Sequence, residues 1–358
     1  MTTVRAGMLH DMSDGPPCPS DIETWLQMVC DEYVASGRTD RRVEFVHGWG
    51  LGLPGGTAAA VERAFEDLVR QEAQLIIGPM IGDNAIIATP LADRFRLPTL
   101  NWAGSERGRS DYMFHLQVGS HEDESVVIAH YLKSIGADRV GVLYDESAIG
   151  HGHLRYLRSE GTILDLTFSA AIALDPVTEQ ADDAVDQIIA SEPDAVVYLG
   201  LGLSAPAVAR RLIGRGWDKT RIMNTAGLRG YWDDFGRIID GWTYLDMHSD
   251  GNATLRALRQ RLAVPEGGAL KAAKGYDLGR LLAEAIARSP ALSTEGLKAG
   301  LEQVKWLPAA EGMDGTLLGF GNYDRAALHG RYLVMRRWVD GRSIEVDVVP
   351  GEPATKTG

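Results

Sequence analysis

Short apolar runs separated by amphipathic helical segments occupy most of this 358-residue chain, and that alternation limits the fold more than any other feature. A strand covered on both faces by helices reads as an unbroken apolar run, whereas a surface helix repeats its apolar residues every three to four positions. The pattern therefore predicts parallel βα units. Val4–Leu9, Val43–His47, Gln74–Ile77 and Pro98–Asn101 read as strands. Asp21–Ala35 (apolar face Ile22, Trp25, Leu26, Val29), Thr57–Gln71 and Ala85–Phe95 read as the helices between them.

A second series follows the stretch Tyr112–Ser120. Its expected helices are Glu122–Ile135, Gly152–Ser159, Asp182–Ala190 and Ala205–Gly214. Its expected strands are Arg139–Tyr144, Ile163–Phe168, Ala195–Leu199, Arg221–Met223 and Gly241–Met247. The chain then turns helical over Ala253–Leu262, Leu270–Arg288 and Thr294–Gln303. It ends in β-like pieces at Thr316–Phe320, Tyr332–Val339 and Ile344–Val348, with a polar tail, residues 351–358, expected to fray. Two open parallel sheets offer ligands the carboxyl ends of their strands.

Thirty-six Lys and Arg against 49 Asp and Glu give a net charge of −13, and no basic run is longer than two residues, as at Arg336-Arg337. Nucleic acid and anionic membranes both need clustered cations, so neither is expected as a partner. No apolar run approaches the roughly 18 residues of a membrane span. Nor does the N-terminus carry a secretory h-region, which leads us to expect a cytoplasmic protein, or a periplasmic one if a leader has been removed. Cys30 falls about nine residues into a helix expected to start beside Cys18, with Ser20 as its cap and Glu23 at the capping-box position. That spacing is roughly 13 Å along the axis, beyond the about 7 Å a disulfide tolerates. Two free thiols are expected.

Few motifs carry chemistry. Gly50-Leu51-Gly52-Leu53-Pro54-Gly55 has dinucleotide-loop spacing, yet it follows the second strand, and the next strand ends in Gly78-Pro79 instead of a ribose-binding acid. A flexible glycine turn accounts for it better. His151-Gly152-His153 lacks further ligands at zinc spacing. His115 and His121 flank the boundary between the series and suit a core or surface role, or a cleft wall. Asp233 and Asp234 open a helix, where they complement its dipole. There is no nucleophile elbow, Walker loop or His-Glu-x-x-His, so an enzyme is not expected.

In order, Leu75-Ile76-Ile77-Gly78-Pro79, Leu97–Ser105, Tyr112-Met113-Phe114-His115, Gly136–Asp145 with Ser147–Gly150, Pro193–Val197 and Gly275-Tyr276-Asp277 resemble the type I periplasmic binding proteins. The likeness is to the branched-chain amino acid and amide substrate-binding branch that serves ABC transporters, and it spans about Val4 to Val348. It implies an α/β fold of two lobes, each a parallel sheet flanked by helices, joined by three crossovers near His115–Ser120, Met247–Asp250 and Phe320–Arg325. Lobe I would comprise residues 1–117 with 250–324, and lobe II residues 118–249 with 325–350. The lobes would close by a hinge on a buried ligand.

The resemblance places ligand-gripping backbone and hydroxyl groups at Met80, Gly82, Asp83, Ala103 and Ser105. Trp102 stands where a small residue or proline is common. On the other lobe, Ile149 and Leu201 fall where aromatics are frequent, and Ala226, beside Gly227, falls where amino-acid binders carry a Glu for the ligand's ammonium. An unpaired buried ammonium costs several kcal/mol. Unless Asp83 or Asp145 substitutes, the expected ligand is a small organic acid, amide or apolar-bodied molecule and not a standard α-amino acid. No cofactor or metal is implied. The partner would be an ABC permease or, in the alternative of a cytoplasmic amide-type sensor, a regulatory protein. An α/β enzyme using the same cleft is the third reading.

Overall fold

The computed structural model describes residues 2–16, 22–232 and 234–346. The chain divides into two compact units: one runs to Val118 and resumes over Met247–Tyr332, and the other comprises Gly119–Asp246 and the segment beginning at Leu333. Cys18, Ser20, Asp21, Asp233 and the tail lie outside the described residues.

The first unit opens with β1 (Thr3–His10), α1 (Ile22–Ala35), β2 (Arg42–Trp49), α2 (Ala58–Arg70), β3 (Leu75–Ile77), α3 (Gly82–Phe95), β4 (Thr99–Asn101) and β5 (Met113–His115). Its sheet has the order β2-β1-β3-β4-β5 and is parallel throughout. The second unit contains α4 (His121–Ser134), β6 (Arg139–Asp145), α5 (Ala148–Ile163), β7 (Thr167–Leu174), α6 (Asp182–Ala190), β8 (Ala195–Leu199), α7 (Ala205–Gly214), β9 (Thr220–Met223), α8 (Phe235–Ile238) and β10 (Thr243–Asp246). Its parallel strands repeat the order of the first unit as β7-β6-β8-β9-β10. In this doubly wound order, connections leave the first strand of each unit in opposite directions, which opens a crevice at its carboxyl end.

Back in the first unit come α9 (Ala253–Leu262), α10 (Ala269–Arg288), α11 (Thr294–Glu302) and a small antiparallel sheet of β11 (Leu307–Pro308), β12 (Leu317–Leu318) and β13 (Leu328–His329). The hairpin β14 (Val334–Val339) and β15 (Arg342–Glu345) adds antiparallel strands to the second sheet beside β10.

Four sequence-based bounds move. Helix α5 begins at Ala148 because Ser147 caps it, its Oγ accepting from the Gly150 N–H. The same helix runs on to Ile163, so the expected strand 163–168 gives way to β7 at Thr167–Leu174, after a turn in which Asp165 adopts φ 57°. The second passage between units falls between Asp246 and Met247, at the start of the expected stretch 247–250. The third falls after Tyr332 and not at 320–325. There, Ala327 N–H donates to His115 O, Gln117 Oε1 accepts from Ala327 and Leu328, and Arg325 is bonded to Asp111 and Glu302. These contacts keep the segment with the first unit.

Helix α10 is buried almost all round and packs along α1, whose buried side chains are Ile22, Leu26, Val29, Cys30 and Tyr33. Burying each large aliphatic there is worth about 1.5–3 kcal/mol. Gly275 permits the close crossing, since a Cβ on it would stand 2.4 Å from Cγ of Trp25. The Cys30 thiol is free, and burial pushes its pKa up to about 12. Among the described residues no helix is long and apolar enough to cross a membrane. Gly275→Ala is expected to cost about 1–3 kcal/mol by forcing the helices apart; urea unfolding measures it, and an unchanged midpoint would contradict the packing.

Candidate functional site

In the first unit the carboxyl end of β1 delivers Asp11, a fully buried carboxylate. Its oxygens accept from the N–H groups of Met80 (3.0 Å) and Ile81 (2.9 Å) and from Asn84 Nδ2 (2.9 Å). Helix α3 has no side-chain cap of its own at Ile81, so Asp11 supplies the anion that its positive end favours. Burial raises the Asp11 pKa, and these hydrogen bonds oppose the rise. Asn84 in turn holds the glycine turn, accepting from Leu53 N–H and donating to Leu53 O. That turn is tightly fitted and not flexible: a Cβ on Gly50 would lie 2.3 Å from Ala60 O, and one on Gly52 would lie 2.4 Å from Asn84 Nδ2. Close packing accounts for Gly50 and Gly52, while Gly55 faces open space.

The loop after β4 carries Trp102, Ala103 and Ser105. Asn101 ties it down, donating to Gly108 O and Phe114 O and accepting from Ala103 N–H. His115 fixes it from the next strand. Arg109 donates to its Nδ1, so its Nε2 donates to Ala103 O at 2.6 Å. The Trp102 N–H donates to Pro79 O, which joins this loop to the one after β3. Met80, Trp102, Ala103 and Ser105 thus lie on two adjacent, mutually bonded loops, and Gly82 and Asp83 in the first turn of α3 that follows one of them. Met80 and Trp102 are half-buried, the others buried. The Met80 and Ile81 N–H groups are committed to Asp11. Ser105 is fully buried, its hydroxyl accepting from Arg107 N–H.

Beside Asp11, His10 stacks on Trp49 at 3.9 Å between ring centroids, and its Nε2 is 3.0 Å from His47 Nδ1. Burial, and then the neighbouring His47, lower its pKa to about 4. Glu23 approaches the far nitrogen of His47 at 3.6 Å.

The second unit repeats the device. Asp145 ends β6, the counterpart of β1, and accepts from Leu201 N–H (2.8 Å), Tyr198 Oη (2.8 Å) and Ser204 Oγ (3.0 Å). Asn224, at the end of β9, donates to Gly200 O and accepts from the Gly200 N–H. Its amide also meets Nε2 of His153 at 3.1 Å. Glu124 accepts from the Thr225 N–H at 2.7 Å. Leu201 and Ala226 are therefore held on neighbouring loops, while Ile149 occupies the first turn of α5. Gly227 backs onto the Tyr244 ring, and its carbonyl accepts from Trp338 Nε1.

The two histidines of His151-Gly152-His153 diverge. His151 is exposed and pairs with Glu146 at 2.6 Å, whereas His153 is buried against His121, 4.7 Å between ring centroids. Burial holds the His153 pKa well below its usual value. Among the described residues no cluster of three or more His, Cys, Asp or Glu is placed to hold a metal ion. His115 and His121 are both core residues. Asp234 sits at the start of α8, paired with Arg237.

The residues that sequence reasoning missed share one signal: Asp11, Asn101 and Asn224 are polar residues set at or just after the end of an apolar strand. Asp11 and Asn224 each tie a loop to its neighbour, and Asn101 ties its own loop together and to β5.

The model of the periplasmic binding protein family matches residues 3–341, and the chain belongs to that family. No curated protein matches significantly. Among solved structures, a leucine-binding protein from Thermotoga maritima is similar at 14% identity, TM-score 0.78, with 97% of this chain and 99% of that one covered. A solute-binding protein of an ABC transporter from Rhodopseudomonas palustris, in complex with 4-hydroxybenzoate, is 18% identical, TM-score 0.77, covering 98% and 97%. A substrate-binding protein from Desulfitobacterium hafniense, in complex with Leu, is 17% identical, TM-score 0.75, covering 96% and 100%. The fold is the two-lobed type I fold of the periplasmic binding proteins.

Asp11→Ala strands the N–H groups of Met80 and Ile81, at about 1–3 kcal/mol each. Urea unfolding should show a loss of that order, and a variant as stable as the parent would refute the anchor. For His10, an unfolded histidine takes its proton near pH 6.5, the folded one only near 4. Between those values the unfolded state binds more protons, so this group lowers stability as pH falls. The raised carboxyl of Asp11 acts in the opposite sense, so the comparison is between variants. His10→Gln should lose less melting temperature from pH 6.5 to 4 than the parent; an equal loss would show that His10 protonates freely when folded.

Proposed function

We propose that the protein is the carrier of an ABC uptake system and closes its two lobes on a small organic acid, amide or apolar-bodied molecule, not on a zwitterionic α-amino acid. One observation carries this reading: among the described residues, the loops of the second unit around Leu201 and Ala226 hold no carboxylate placed for an ammonium. Ala226 presents a methyl where amino-acid binders carry Glu. Asp145, the substitute on this unit, is fully buried and spends its oxygens on Leu201, Tyr198 and Ser204. Glu124 is committed to Thr225. Asp83 stands in the first turn of α3, where the helix dipole already balances it. The relatives solved with 4-hydroxybenzoate and with Leu bracket both kinds of ligand, so the wall chemistry has to choose between them.

A carrier that delivers to a permease works outside the cytoplasmic membrane, the second of the two compartments expected from the sequence. Fractionation of the native host tests that. The amide-type sensor draws no support from the family match.

A thermal-shift series tests the ligand class. Small acids or amides should raise the melting temperature, a ligand at a hundredfold excess over its Kd adding about 2.7 kcal/mol, while leucine and valine should leave it unchanged. Strong stabilisation by leucine with none from acids or amides would overturn the proposal.

A further inference from the structure

Resting on the reading that the two lobes close on a ligand, we infer that closure pivots on a single residue, Gly119, in the first of the three passages between units, while the second and third passages bend together as one ribbon. The first passage is held on both sides of that glycine. Before it, the Gln117 carbonyl accepts from Lys274 Nζ at 3.0 Å, and the same ammonium pairs with Glu311 at 2.6 Å. Both members of the pair are buried, and a buried charge parts from its partner only at high cost. The Gln117 side chain accepts from the N–H groups of Ala327 and Leu328 and donates to Leu328 O. The Val118 N–H donates to Ala103 O at 3.0 Å. After the glycine, Ser120 is already the cap of α4, its Oγ accepting from the Asp123 N–H at 2.9 Å.

Only Gly119 stands between these anchors, and its φ is +74°. Side chains disfavour that region, whereas glycine moves between it and the rest of its allowed conformations at little cost. Hinges are made of a few such residues, which absorb the change in φ and ψ while the elements on either side stay rigid. The surroundings demand glycine as well. A Cβ here would run into the carboxylate of Glu124, which the Thr225 N–H holds in place at 2.7 Å.

The other two passages are built differently. In the second unit, Asp246 and Val334 stand opposite one another in the antiparallel pair β10–β14. In the first unit, Met247 O accepts from the Gly312 N–H, His248 bridges to Gly312, and the Met313 N–H donates to Arg331 O. Residues 246, 247 and 248 are thus laddered without a break. Just Tyr332 and Leu333, neither of them glycine, separate Arg331 from Val334. Strands laddered to common neighbours turn together, which leaves the largest change in backbone angle to the first passage.

Double electron–electron resonance on the full chain tests the pivot. Two pairs of spin labels, at Glu62→Cys with Ser159→Cys and at Arg256→Cys with Arg210→Cys, each join an exposed site of one unit to an exposed site of the other. Cys18 is replaced by Ser, while Cys30 is buried, its thiol pKa raised, and stays unlabelled. Distances are recorded alone and with 4-hydroxybenzoate, its amide, isobutyrate, isobutyramide and leucine. The proteins are the labelled parent, Gly119→Ala, Gly119→Asn and Gly136→Ala, with the melting temperature of each as a folding control. Alanine and asparagine bring the same Cβ to Glu124, but asparagine visits positive φ more readily, so the difference between them reads the backbone angle. Gly136 also has positive φ, with open space around it and no part in a passage. The parent should give a broad or two-peaked distribution, or one that a probe shifts. Gly119→Ala should shift or narrow it, Gly119→Asn should do so less, and Gly136→Ala should leave it unchanged. Should Gly119→Ala fail to fold, Gly119→Asn decides alone. A folded Gly119 variant whose distributions match those of a mobile parent, or an equal shift in Gly136→Ala, overturns the pivot and leaves closure standing. One narrow peak, the same in every protein and with every probe, overturns closure and the pivot with it.

Discussion

A buried aspartate at the carboxyl end of the first strand of each unit is the constraint from which the loops at that end of the sheet take their shape. Asp11 and Asp145 occupy equivalent places, at the point where the order of strands reverses and the chain leaves a gap. A carboxylate without water is costly, and each of these is tolerated because main-chain and side-chain donors converge on it. The benefit runs the other way as well. The N–H groups of Met80, Ile81 and Leu201 would be unsatisfied in their loops without an acceptor from the neighbouring strand. Sequence divergence has left the two devices with different donors but the same logic.

The amide side chains extend this scheme sideways. Asn84 links α3 to the glycine turn, Asn101 cinches the loop after β4, and Asn224 joins the loops after β8 and β9. An asparagine both donates and accepts, so it can bond the C=O and N–H of a neighbouring loop at once, as Asn84 does with Leu53 and Asn224 with Gly200. The walls are therefore preorganised by residues that are themselves buried, which leaves the outer residues free to change with the solute.

The strands were legible because helices cover both faces of each sheet, which leaves strands such as Ala195–Leu199 apolar throughout. The edge strand Thr167–Leu174 was not, because it is half-exposed and the preceding helix runs on through the polar run Arg158–Thr162 to take in the exposed Ile163. Ala226 and Asp145 were readable as positions from the resemblance. Whether Asp145 remained available was not, since that depends on Tyr198 and Ser204, whose approach only the folded sheet brings about.

The interleaved path of the chain has a consequence for biogenesis. Helix α1 reaches its native partner only through α10, and the buried bond from Tyr33 to Glu284 spans 251 residues. As the polypeptide leaves the ribosome, the stretch Gly119–Asp246 is complete long before α10 appears, and the first unit waits with one side of its helix uncovered. The second unit, lacking only the hairpin β14–β15, has most of its sheet in hand at that stage. Nascent-chain intermediates should therefore expose α1, and a chaperone that meets the growing chain finds an apolar handle there.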